Sequence, residues 1–107
     1  MKYGGSSMLY ELKSTSPQME IDLRGRLTFS DYSVFREISD QLNLYGPKSC
    51  LLDLENLEFI DSAGLGMLLI VRDKMTSKNG SVVLKNSQGQ VKKMLTLGKF
   101  ESLFTIE

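Results

Sequence analysis

Histidine and tryptophan are absent from this 107-residue chain, cysteine occurs once and proline twice. Without histidine there is no ordinary general base near neutral pH, no imidazole metal ligand, and no Ser-His or Cys-His pair. The lone Cys50 has no intrachain disulfide partner, and its place in an apolar run reads as a small buried hydrophobe, not a nucleophile. Long apolar runs are missing too. The longest, Met67 to Val71, falls far short of the ~20 residues a membrane helix needs, and the N-terminus has no apolar signal region. A cytoplasmic protein without membrane contact is the expectation. Thirteen basic and thirteen acidic residues cancel, and no Lys/Arg stripe appears, which argues against nucleic acid as a ligand.

What remains is an ordinary globular composition, 41% hydrophobic and 24% charged, long enough for one core and too short for two. Residues 1–7 are Gly/Ser-rich and expected to be a loose tail, leaving 8–107 as a single domain. Met8, Tyr10 and Leu12 alternate with Leu9, Glu11 and Lys13. After Ser14-Thr15-Ser16-Pro17, Met19, Ile21 and Leu23 alternate with Glu20, Asp22 and Arg24, so a hairpin opens the chain. Ser30-Asp31 is expected to cap a helix carrying Val34, Phe35, Ile38 and Leu42, ended by Gly46-Pro47. Ser49 to Leu54 reads as a strand covered on both faces. A helix from Ser62 to Lys78 ends at Asn79-Gly80, and Ser81 to Lys85 is a further strand. Ser87 is expected to cap a short helix with Val91, Met94, Leu95 and Leu97, closed by Gly98, before an edge strand at Leu103 to Ile106. The class is α/β: a mixed β-sheet opened by an antiparallel hairpin, with right-handed crossovers packing the helices on one side.

The stretch Phe59-Ile60-Asp61-Ser62-Ala63-Gly64-Leu65-Gly66-Met67 joins sheet to helix. Either Asp61 or Ser62 can cap the helix, since a side-chain oxygen there accepts from the orphan N–H groups of the first turn. At 3.6 residues per turn, Gly64, Met67, Leu68, Val71 and Met75 share a core face. Ser62 lies opposite, with Leu65, Gly66, Leu69 and Asp73 around it and Ile70 on the flank. Apolar residues on an outward helix face point to a surface covered by another protein. Gly66 inside the helix costs about 1 kcal/mol relative to Ala, which a close partner would offset. Gly64-Leu65-Gly66 lacks the third glycine of a dinucleotide fingerprint and a following Gly-Lys-Ser/Thr, so packing or turn roles are the simpler reading. Asp53, Asp61 and Asp73 lie too far apart in sequence to read as a metal set and fit solvated or capping carboxylates. Met67 and Met75 read as core filling. No cofactor, metal or catalytic residue is expected.

The run Asp61-Ser62-Ala63-Gly64-Leu65-Gly66, after an apolar strand ending Asp53-Leu54 and the segment Leu57-Glu58-Phe59-Ile60, resembles the signature of the STAS domain of bacterial anti-sigma factor antagonists. The order of elements matches over roughly residues 8 to 106. The resemblance implies a STAS-like fold, no enzymatic activity, and regulatory phosphorylation at Ser62. It also implies two partners. One is an anti-sigma factor that is itself a serine kinase of the histidine-kinase-like ATPase fold, and the other is a PP2C-type phosphatase that resets the switch. The expected partner surface is Asp61, Ser62, Ala63, Gly64, Leu65, Gly66, Leu69, Ile70 and Asp73, on a monomer or weak dimer. Many members carry Gly-Glu-Leu-Asp after the second strand, where this chain has Gly25-Arg26-Leu27-Thr28. Thr28 therefore stands at an acidic position of the family, and Asp31 is the candidate replacement. Alternatives are a phospho-switch with an output other than a sigma factor, such as surface growth or motility, and a small-ligand, nucleotide-sensing or transporter-accessory module.

Overall fold

The computed structural model describes residues 8–107, so the expected tail at 1–7 lies outside the described residues. The hairpin forms as its alternation requires: β1 (Met8–Ser14) pairs antiparallel with β2 (Gln18–Leu27), placing Tyr10 opposite Leu23 and Leu12 opposite Ile21. A 3-10 turn (Phe29–Asp31) leads into α1 (Tyr32–Tyr45). There follow β3 (Ser49–Asp53), β4 (Leu57–Ile60), α2 (Ser62–Ser77), β5 (Ser81–Lys85), α3 (Gly89–Leu97), a second 3-10 turn (Phe100–Ser102) and β6 (Thr105–Ile106). The sheet order is β1-β2-β3-β5-β6, parallel from β2 onward. Beyond the end of β3 the same side of β2 is taken over by β4, which pairs parallel with Gly25 to Leu27.

Met19, Ile21, Leu23 and Leu27 on β2, Cys50 and Leu52 on β3, and Val82 and Leu84 on β5 are buried on one side of the sheet. There they meet Val34, Phe35, Ile38 and Leu42 of α1 and Met67, Leu68, Val71 and Met75 of α2. The opposite side carries Glu11, Glu20, Arg24 and Lys85. This corrects the expectation that Ser49 to Leu54 is covered on both faces: Ser49, Leu51 and Asp53 are only half-buried, while Cys50 and Leu52 face the core. Asp22 is the exception on that side. It is buried beneath Arg24, whose guanidinium lies 2.9 Å from its Oδ2 and 3.5 Å from Glu11.

The ends of the elements follow their residue chemistry, with some differences. Gly46 closes α1 in the left-handed region at φ 53°, its N–H donating to the Leu42 carbonyl. Asn79, at φ 61°, provides the left-handed exit from α2. Helix α3 starts from Gln88 with no side-chain cap, so Ser87 does not serve as the expected cap. Leu97 points out at 69% exposure, two positions past Leu95 and off the apolar stripe that Leu95 shares with Val91. The last strand shortens to Thr105–Ile106 because Leu103 and Phe104 close the preceding turn, with the Phe100 and Phe104 rings stacked at 5.3 Å.

Candidate functional site

Helix α2 is brought to the sheet by Gly64. A Cβ there would lie 2.5 Å from the Leu27 carbonyl oxygen and 2.6 Å from Ile60 Cγ1, so only glycine lets the first turn rest on the ends of β2 and β4. Gly64 is thus a packing residue, which corrects its expected place in the partner surface. Gln90 of α3 fixes the outer side of the same junction. Its Oε1 accepts the Ile60 N–H at 2.9 Å and its Nε2 donates to the Ile60 carbonyl at 2.8 Å. Both backbone groups at the end of β4 are thereby satisfied. Nothing in the local sequence pattern flagged Gln90, since its partner lies 30 residues away.

Of the two possible caps, Asp61 takes the role. Its Oδ1 accepts the Gly64 N–H at 2.8 Å and its Oδ2 accepts the Phe29 N–H at 3.3 Å, so one carboxylate ties the helix start to the turn after β2. Ser62 is the first residue of α2, is exposed, and its hydroxyl forms no hydrogen bond among the described residues. Down the same helix, Gly66 has open space where a side chain would stand. Ile70 is 41% exposed and Asp73 is exposed, paired with Arg72 at 3.5 Å. Ala63 is half-buried. Leu65 and Leu69 are half-buried and pack against the core, so the apolar ring expected around Ser62 is partly turned inward.

Asp31 is also corrected. It has no exposed surface, and its carboxylate is consumed indoors: Oδ1 accepts the Met8 N–H at 2.9 Å, and Oδ2 accepts the Thr28 N–H at 2.8 Å. It shapes the turn beside Ser62 and presents no charge to a partner. Thr28 is half-buried with its Oγ1 3.0 Å from Ser30 Oγ. In place of acidic groups the turn shows rings to solvent, Phe29 at 76% and Tyr32 at 56% exposure. Sequence reasoning missed both. Their signal was available as two aromatics on either side of an N-cap that fall outside the apolar set of α1.

The three aspartates considered as a metal set have separate partners. Asp53 accepts from the Glu55 N–H and from Asn86 Nδ2, Asp61 caps α2, and Asp73 meets Arg72. Among the described residues no three His, Cys, Asp or Glu side chains are placed to hold a metal ion. Burial pushes the Cys50 thiol up to about 12, leaving it unreactive near neutral pH. Among the described residues no helix is long and apolar enough to cross a membrane.

Comparison with known proteins agrees with this geometry. The STAS domain model matches residues 10–107. A STAS-domain containing protein of Pseudomonas aeruginosa (strain UCBPP-PA14) is 34% identical over 89 residues, which is 83% of this chain and 87% of that protein. An anti-sigma factor antagonist from Mycobacterium paratuberculosis superposes with a TM-score of 0.82 at 15% identity, covering 99% of this chain and 89% of the other. The anti-sigma factor antagonist SpoIIAA in its unphosphorylated form superposes with a TM-score of 0.76 at 20% identity, over 94% of this chain and 88% of that one. The phosphorylated form of SpoIIAA, a Bacillus cell fate determinant, gives a TM-score of 0.68 at 19% identity, over 94% and 91%. At these identities the structural likenesses speak for the fold.

Proposed function

This chain belongs to the STAS domain family, and from that premise we propose that it is a regulatory binding domain of the anti-sigma factor antagonist kind, switched off by phosphorylation of Ser62. The observation that carries the reading is the state of the Ser62 hydroxyl. Asp61 already caps α2, so the hydroxyl has no structural task, and it is exposed on the first turn of a helix. A capping serine would be hidden from a kinase by its own hydrogen bond. This one is presented.

Phosphorylation adds roughly 1.5 to 2 negative charges at that point. The helix N-terminus favours negative charge locally. The Asp61 carboxylate next in sequence opposes it. A partner seated over Gly66 and Ile70 meets the new charge at its edge, where like-charge contact or desolvation costs several kcal/mol. Because each 1.4 kcal/mol is a factor of ten, one phosphate lowers affinity by about a hundredfold or more. In this reading the unphosphorylated protein binds a serine kinase of the histidine-kinase-like ATPase fold that also acts as an anti-sigma factor. ATP belongs to that kinase, and a PP2C-type phosphatase reverses the modification. Mass spectrometry of the protein isolated from its native cells tests the reading. Phosphate on Ser62 and a copurifying ATPase-fold kinase are expected, and Ser62 unmodified under all growth conditions would overturn it.

A further inference from the structure

Resting on the reading of α2 as the docking face, we infer that the groove between α1 and α2 receives an acidic amphipathic helix of the partner protein. The groove has a volume of about 250 Å³, below the ~300–1,000 Å³ of sites that enclose a small molecule and suited to a few inserted side chains. Its apolar parts are Tyr32, Phe35 and Ile70, and two of these, Tyr32 and Ile70, are open to solvent at 56% and 41%. Two parallel helices with an apolar seam between them offer the seat used in helix-in-groove recognition, where anchors at i, i+4 and i+7 enter the seam.

Charge selects the occupant. Arg36 from α1 and Lys74 from α2 line the groove, and neither forms an ion pair among the described residues. Asp40 is the one carboxylate in the lining, so the groove carries a net charge of +1, two cations less one anion. A segment with carboxylates beside its apolar anchors satisfies both cations, whereas a basic one leaves them facing like charge.

Two matched alanine-based helical peptides with leucines at i, i+4 and i+7, one flanked by glutamates and one by lysines, test this against the unmodified full chain by heteronuclear NMR. The glutamate peptide is expected to shift the Tyr32, Arg36, Ile70 and Lys74 resonances and to bind at least about tenfold tighter than the lysine peptide, the preference shrinking as salt is added. The doubly reversed variant R36E/K74E, confirmed as folded by its spectrum, is expected to prefer the lysine peptide. Absence of shifts in the groove, equal affinity for the two peptides, or an unchanged preference in R36E/K74E would overturn the inference. Because neither peptide needs Ser62, S62A is expected to bind as the unmodified chain does. The result therefore stands apart from whether Ser62 is phosphorylated in cells.

Discussion

The Asp61 carboxylate reaches across 32 residues of chain to accept the Phe29 amide at 3.3 Å, while its other oxygen holds the Gly64 amide at 2.8 Å. One side chain thereby sets both the start of α2 and the place of the exposed Phe29 ring. Replacing it with alanine is expected to cost about 1 kcal/mol in urea denaturation, the usual loss for an N-cap. Amide exchange at Phe29 and Gly64 is expected to quicken together. D61N, which keeps an acceptor, is expected to recover most of the stability. Exchange that quickens at Gly64 alone would mean that the link to the turn is not made in solution.

The two glycines of α2 are expected to respond in opposite directions. G64A places a methyl against the Leu27 carbonyl and Ile60, and is expected to destabilise the domain by about 1–3 kcal/mol. For a domain of this size that lowers Tm by roughly 4–8 °C per kcal/mol. G66A meets open space and gains helix propensity, so a rise in stability of about 1 kcal/mol is expected, together with weaker binding to the partner. Stabilisation by G66A without loss of binding would remove Gly66 from the docking surface.

Cys50 gives a pH signature. Its folded pKa, raised from 9.0 to about 12 by burial, lies above the value in the unfolded chain. In that window the unfolded state has lost the proton that the folded state keeps, so this thiol's contribution is intact below pH 9 and declines as pH rises toward 12. Stability measured from pH 8 to pH 11 is expected to fall less steeply in C50V than in the unmodified chain. Iodoacetamide at pH 8 is expected to label Cys50 only on unfolding. Rapid labelling of the folded protein would contradict the assignment.

The alternating strands and helices were legible because each element buries one face, and its apolar period shows which residues turn inward. The five residues expected on the core face of α2 are the five that are buried. Less legible were features made by distant parts of the chain. Gln90 acts on Ile60, Asp31 turns back to the Met8 amide, and Gly64 is required by a carbonyl on β2. Periodicity carries no signal for such contacts. The wheel placed Leu69 outward, yet it lies over the edge of the core and is half-buried. Ile70, not Leu69, is therefore the residue at which a charge probes binding without touching the fold. Phe29 and Tyr32 escaped notice because exposed aromatics are defined by what fails to cover them.

The proposed switch depends on one exposed hydroxyl, that of Ser62. Titration of S62A and S62D against the kinase that copurifies with the protein tests it most directly. S62A is expected to bind like the unphosphorylated protein and S62D at least about a hundredfold more weakly, both with unchanged denaturation curves. Equal affinity of the two folded variants would contradict the account.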